Sequence, residues 1–347
     1  MSDISIRKTG QAGRITLTRP KALNAMTYAM CLAIEAALED WRDDPEVSIV
    51  LIDALGDRAF CAGGDIQELY DTGRAGDFAY GQKFWADEYR LNAKIFNYPK
   101  PYIAFMQGFT MGGGVGISCH GSHRIVGNSS QIAMPECGIG LVPDVGGSLL
   151  LSQAPGHIGE YLGTTAARMS AGDAIFAGFA DYFIPEDEWP ALIDALEQSG
   201  DFSLIDRSAR APAKGPIEEN HAELSRLFQG ETLSDTLRML EGDESDLAVS
   251  ALAAVSRVSP LSAACTFEML HRLRGTEDIE KALKLEYCFT YRAAEHGDFL
   301  EGIRAQIIDK DRSPQWQHQS GHDVSLSAIS KMLRPLGPNA LILGDNS

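Results

Sequence analysis

Residues 133–147 read Ala-Met-Pro-Glu-Cys-Gly-Ile-Gly-Leu-Val-Pro-Asp-Val-Gly-Gly. Two carboxylates, Glu136 and Asp144, therefore stand eight residues apart in an apolar loop rich in glycine and proline. Apolar surroundings disfavour the charged form of a carboxyl group, raise its pKa and make its anion a useful base or nucleophile near neutral pH. Glu136 is flanked by Pro135, Cys137 and Ile139, and no nearby cation or cap position explains it. Asp144 has a plain structural alternative. It precedes Val145-Gly146-Gly147-Ser148 and an apolar helical run, so it also reads as an N-cap.

Two glycine clusters add a second kind of chemistry. Phe60-Cys61-Ala62-Gly63-Gly64-Asp65 and Met111-Gly112-Gly113-Gly114-Val115-Gly116 each follow a strand-like run and precede helical sequence. Such a junction leaves backbone N–H groups unpaired, and two junctions facing one point would give two donors to one oxyanion. Each cluster equally fits a packing turn, and Asp65 with Glu68 fits a capping box. The second cluster lacks both the spacing of a dinucleotide fingerprint and the Lys-Ser/Thr of a P-loop.

The elements that must position these residues follow from periodicity. Residues 4–8 and 13–19 alternate apolar and polar around Gly10 and Gly13, which predicts a β-hairpin. Met30, Ile34, Leu38 and Trp41 lie at helical spacing behind Thr27, which predicts a helix over 27–43 with Thr27 as its N-cap. Residues 47–55 are a β-branched run suited to a strand buried on both faces. A helix over 77–96 and strands at 102–106, 123–127 and 131–134 follow. Strands alternating with helices to about residue 185 predict an α/β core over 1–185. Residues 186–347 read as a mainly helical C-terminal region, with a loop at 209–216.

Composition narrows the function classes. The 347 residues carry 30 Lys+Arg against 48 Asp+Glu, a formal charge of −18. That field opposes phosphate backbones and anionic lipid, so neither nucleic acid nor a membrane is the expected partner. Six scattered cysteines (Cys31, Cys61, Cys119, Cys137, Cys265, Cys288) show no metal-ligand spacing, and no metal is expected. The start of the chain has neither an apolar h-region nor a basic amphipathic arm, so the expected location is cytoplasmic.

Four stretches together resemble the crotonase (enoyl-CoA hydratase/isomerase) superfamily: Arg19-Pro20-Lys21-Ala22-Leu23-Asn24-Ala25, residues 59–66, Gly112-Gly113-Gly114, and Pro135-Glu136. Within it, residues 111–116, 134–136 and 143–147 resemble the 3-hydroxyisobutyryl-CoA hydrolase branch. So do the C-terminal runs 301–305 and 308–311, with Ser313-Pro314 and Trp316. The resemblance covers about residues 4–316. It implies a crotonase-type ββα spiral core followed by a helical C-terminal region. It also implies an acyl-CoA substrate, with no cofactor besides the coenzyme A that is part of the substrate. Members commonly assemble as trimers or larger, so a homo-oligomer is compatible with it.

Carried over residue by residue, the resemblance makes the Gly64 and Gly113 amides an oxyanion hole for a thioester carbonyl. Glu136 becomes the catalytic carboxylate and Asp144 its partner. Lys21, Ala22 and Leu23, with Gly64, Asp65 and Ile66, correspond to the adenine and pantetheine contacts of the coenzyme, and Glu88 to a substrate-contacting glutamate. The spacing of Phe84, Glu88, Leu91 and Ile95 independently places Glu88 on the apolar stripe of its helix. A carboxylate there is costly unless hydrogen-bonded, and a substrate 3-hydroxyl is a candidate partner. Lys21 and Arg58 are candidates for the coenzyme's phosphates, with solvated surface charge as the alternative. Hydratases of the superfamily place a second glutamate shortly after the triple glycine, and here that position is Gly116. The expected activity is therefore hydrolysis of 3-hydroxyisobutyryl-CoA or a similar short 3-hydroxyacyl-CoA, a step of valine breakdown. The alternatives are an enoyl-CoA isomerase or hydratase, and a non-catalytic acyl-CoA-binding protein.

Overall fold

The structure is a computed structural model that describes residues 3–344. In chain order its strands are β1 (Ile4–Thr9), β2 (Ala12–Leu17), β3 (Ile49–Ala54), β4 (Ala59–Cys61), β5 (Tyr102–Met106), β6 (Phe109–Met111), β7 (His123–Val126), β8 (Gln131–Ala133) and β9 (Tyr182–Phe183). β1 and β2 form the predicted antiparallel hairpin, with Ile6 opposite Ile15. The remaining pairings are parallel, giving one sheet in the order β1-β2-β3-β5-β7-β9 and a second in the order β4-β6-β8.

The two orders reveal a repeat. β3 then β4, β5 then β6, and β7 then β8 each place one strand in the large sheet and the next in the small sheet, and helical sequence follows each pair. This is the expected α/β architecture with its ββα spiral. The three strands of the small sheet are only three residues long. Runs that short carry little periodicity, which is why β4 and β6 were not separable from the glycine clusters beside them.

Packing groups the chain differently from a division at 185/186. One unit comprises the chain up to Asp65, Arg90–Ala133 and Arg168–Glu219. Its sheet buries Ile49, Leu51, Ile103, Phe105 and Ile125 against Trp189, Leu192 and Leu196. Alternate residues of a strand share a face, so β3 and β5 offer this side a continuous apolar surface. The Trp189–Ser199 helix, assigned by sequence to the C-terminal region, thus belongs to the sheet unit.

The other unit comprises Ile66–Tyr89, Met134–Ala167 and the chain from Asn220 onward. It is helical, around a core that includes Leu227, Phe228, Leu233, Leu237, Leu240, Ala251, Ala264 and Phe267. Its helix starts are written locally. Thr232 with Asp235 forms a capping box, and Ser245, Ser259 and Asp278 cap the next three helices with their side chains. No single helix among the described residues is long and apolar enough to cross a membrane.

Candidate active site

The sheet unit builds two glycine turns side by side. β4 and β6 are parallel neighbours, so the turns that follow them leave the same edge of the small sheet. Gly63 (φ 114°) and Gly112 (φ 50°, ψ −118°) adopt backbone conformations that a side chain rarely allows. A Cβ on Gly114 would lie 2.4 Å from the Cys61 carbonyl oxygen, so only glycine permits this approach of the second turn to β4.

The amides of these turns are held in place by their neighbours. Met26 N–H donates to the Gly63 carbonyl at 2.9 Å, and Asp65 N–H donates to the Met26 carbonyl at 2.8 Å. That is a parallel bridge centred on Gly64, whose own N–H points away from Met26. Gly113 opens a single helical turn, Gly113–Gly116, so its N–H has no acceptor within that turn.

The loop carrying Lys21, Ala22 and Leu23 is tied to the first turn. Ala62 N–H donates to the Leu23 carbonyl at 3.0 Å. Asn24 is buried in a left-handed conformation, and its amide donates to the Leu55 and Ala59 carbonyls at 2.9 Å each. Asp65 accepts from Arg19 at 3.0 Å. It therefore does not cap the Gln67–Arg74 helix, which begins behind Ile66 without a side-chain cap. Lys21 and Arg58 are both exposed.

The helical unit holds the carboxylates. Glu88, Glu136, Asp144 and Glu286 are all buried, with exposures of 3, 5, 4 and 0%. Glu136 opens a short 3-10 turn, Glu136–Ile139, three residues after β8. That turn is clasped by the C-terminal run singled out in the sequence. A Cβ on Gly302 would lie 2.2 Å from the Ile139 carbonyl, and one on Gly140 2.5 Å from the Asp298 carbonyl. Ser259 N–H donates to the Cys137 carbonyl at 2.9 Å, and the Ser259 hydroxyl donates to Asp298 at 2.6 Å. Arg304 joins Glu301, Asp309 and Asp311 at 2.8, 2.7 and 2.6 Å, which closes the same run on itself.

One oxygen of Glu136, Oε2, is buried with no hydrogen-bond partner. Burial, and then the charge of Asp144, hold its carboxyl well above the usual range, with Glu286 and Glu88 adding to the effect. Burial and Asp144 do the same to Glu88. Asp144 accepts a hydrogen bond from the Tyr89 hydroxyl at 2.7 Å. Burial carries its pKa up to about 7, against the opposing pull of that bond. No cation is among the causes of any of these shifts.

Asp144 is not the N-cap of the helix that follows. The Gly147–Gln153 helix has Gly146 at that position and no cap from its own segment. Glu286, on the Ile279–His296 helix, takes the role from 140 residues away. It accepts from Gly146 N–H at 2.9 Å, from Ser148 N–H at 3.1 Å and from the Ser148 hydroxyl. Tyr89 and Glu286 were missed by sequence reasoning. Tyr89 sits beside Glu88 on a helix already flagged, but Glu286 lies in an ordinary amphipathic helix with no local signal. Among the described residues no three His, Cys, Asp or Glu side chains are grouped to hold a metal ion.

Residues 12–333 match the enoyl-CoA hydratase/isomerase family. A Gallus gallus protein named "3-hydroxyisobutyryl-CoA hydrolase, mitochondrial" is 35% identical over 99% of this chain and 91% of its own length. The Xenopus tropicalis protein of that name is 37% identical over 97% of this chain and 90% of its own. A crystal structure described as an enoyl-CoA hydratase from Rhodobacter sphaeroides 2.4.1 is 57% identical, with a TM-score of 0.96 over 98% of this chain and 100% of that one. A second, described as a carnitinyl-CoA dehydratase from Mycobacterium thermoresistibile, is 35% identical, with a TM-score of 0.94 over 99% of this chain and 100% of that one. With a match of that extent and relatives this similar along nearly its whole length, the chain belongs to the enoyl-CoA hydratase/isomerase, or crotonase, family.

Proposed function

We propose that this protein hydrolyses the thioester of a short 3-hydroxyacyl-CoA, 3-hydroxyisobutyryl-CoA being the leading candidate, at the hydroxy-acid stage of valine breakdown. The observation that carries the reading is the pair Glu136 and Asp144. One member is buried with an unpartnered oxygen and a raised pKa; the other is held by Tyr89. The names of the curated relatives point the same way.

In this reading Gly64 and Gly113 donate their N–H groups to the thioester carbonyl oxygen as it becomes an oxyanion. Gly64 and Gly113 follow, by three and two residues, the C-terminal ends of β4 and β6, which are adjacent parallel strands of one sheet. That common edge supports their acting on one group. The deprotonated Glu136 either takes a proton from water or attacks the carbonyl itself to form an anhydride that water then opens. The C–S bond breaks, the thiolate leaves as coenzyme A and takes up a proton, and the hydroxy acid is released. Asp144 raises the Glu136 carboxyl by its charge and, held by Tyr89, supplies the proton that the leaving thiolate takes up. Glu88, a buried carboxyl, receives the substrate's 3-hydroxyl. Lys21, Ala22, Leu23, Asp65 and Ile66 contact the coenzyme, Lys21 and Arg58 supplying positive charge for its phosphates.

The rival reading is a hydratase, the description carried by the 57%-identical structure. Adding water across a double bond usually enlists two carboxylates. The site after the triple glycine, where hydratases of the superfamily carry the second, holds the buried Gly116. The deciding measurement is thiol release from a panel of 3-hydroxyacyl-CoAs, alongside hydration and isomerisation of enoyl-CoAs. Free coenzyme A from the 3-hydroxyacyl substrates is the expected result. Turnover of enoyl-CoAs without thiol release would discard the hydrolase reading.

A further inference from the structure

Asp144 opens a turn that one backbone bond closes, Gly147 N–H donating to the Asp144 carbonyl at 2.7 Å, while its side chain and the amides that follow are held from elsewhere. Val145 has φ 52°, a left-handed conformation that is strained for a β-branched residue and persists only where surrounding structure enforces it. Gly146, next in the chain, has φ 79°. Two side chains from outside the segment grip this turn at its two ends. Before the strained residue, the Tyr89 hydroxyl donates to Asp144 Oδ2 at 2.7 Å, with Thr290 3.3 Å from the same hydroxyl. After it, Glu286 collects the Gly146 amide, the Ser148 amide and the Ser148 hydroxyl. Thr290 and Glu286 lie four residues apart on the Ile279–His296 helix, so one helix face braces both ends.

Both grips are buried. Tyr89 and Glu286 are fully enclosed, and the ring of Tyr89 meets that of Tyr287 edge-on at 6.2 Å. Burial keeps the Tyr89 phenol protonated, so it acts as a hydrogen-bond donor to Asp144 throughout the neutral range. The titratable groups acting on Asp144 and its partner are Tyr89, Glu88, Glu136 and Glu286, with no cation among them.

We infer that Tyr89 and Glu286 are positioning residues that clamp the turn on either side of the strained Val145 and so fix where the Asp144 carboxylate sits. Neither needs to touch substrate; each acts through Asp144. The inference deepens the hydrolase reading and rests on it for its activity test. Tyr89→Phe keeps the ring and removes the donor. Glu286→Gln keeps the shape, but its amide cannot accept from both the Gly146 and Ser148 amides. Each is expected to lower kcat about tenfold or more while KM stays within about twofold, because the loss falls on the reacting arrangement and not on binding.

The discriminating measurement is a double-mutant cycle with Asp144→Asn, read in single turnovers at high enzyme concentration. If both residues act through Asp144, adding Tyr89→Phe or Glu286→Gln to Asp144→Asn costs less than about threefold further. If the losses multiply, the clamp is wrong and the hydrolase reading still stands. A second readout needs no turnover: the carboxyl 13C titration of Asp144. Removing the Tyr89 donor removes a bond to the charged form, so the midpoint in Tyr89→Phe moves to higher pH. Should the wild-type protein release no thiol at all, the hydrolase reading fails and this titration alone decides the clamp. An unmoved midpoint overturns it.

Discussion

In the sheet unit, Asp53 and Glu197 both meet Arg14, Glu197 at 2.6 Å, and Asp181 meets Arg124 at 2.8 Å. In the helical unit, Glu88, Glu136, Asp144 and Glu286 are more deeply buried and meet no cation among the described residues. The contrast is not one of composition, since Glu160 in the helical unit is also buried and does have an arginine, Arg274 at 2.6 Å. Pairing neutralises an acid and makes it part of the scaffold. Leaving four acids together without a cation keeps protons on them at a pH where exposed carboxyls have none, and costs stability. Proteins retain such arrangements where chemistry requires them. In the proposed reading the glycine turns of the sheet unit are fixed backbone donors, and the acids of the helical unit are groups whose protonation can change.

Each half of that contrast has a substitution that breaks it, and the largest effect belongs to Glu136. Glu136→Gln keeps the size and removes the base. Turnover should fall by about 10²–10⁴, the usual worth of a positioned base or acid. Acyl-CoA affinity, measured by calorimetry on the variant, should stay near the wild-type value. Retained turnover would mean that the unpaired acids are not the machinery. On the sheet side, Gly114→Ala forces a Cβ to within 2.4 Å of the Cys61 carbonyl, and one glycine turn must shift away from the other. Losing one oxyanion donor costs about 10²–10³ in kcat. Gly114→Ala is expected to approach that loss with Glu136 intact, and an unchanged rate would show that the spacing of the two turns does not matter.

Local signals made much of this arrangement legible in the sequence. Thr27 does cap its helix, accepting from Met30 N–H at 3.2 Å, because capping depends on residues three apart. The large-sheet strands β3, β5 and β7 are runs of apolar residues long enough to show a period. Glu88 betrayed itself by standing on an apolar stripe, and it is 97% buried because the stripe faces inward. What could not be read depends on distant contacts. The N-cap role that was the alternative for Asp144 is supplied by Glu286, and the capping box that was the alternative for Asp65 gives way to Arg19. In both cases the local rule named a competent side chain, and a more distant partner displaced it. The fate of residues 186–219 is similar. The Trp189–Ser199 helix shows a helical pattern, but its apolar face packs on strands that lie as far back as Ile49, and no periodicity encodes that choice.

The smallest predicted effect is also the most direct test of the cost of leaving acids unpaired. Burial and Asp144 raise the pKa of Glu88 in the folded protein, whereas in the unfolded chain it titrates in the ordinary carboxylate range. A group raised in this way contributes its full stability below its unfolded pKa and loses it as the pH climbs toward the folded value, because folding must then take up a proton. Glutamine has no proton to take up. Glu88→Gln should therefore unfold at the wild-type temperature near pH 4 and about 1–2 °C higher near pH 8, for each kcal/mol recovered in a chain of this size. A thermal shift equal at both pH values would mean that Glu88 folds as an anion, held by a partner outside the four-acid group, and the contrast between the two units would lose one of its four members.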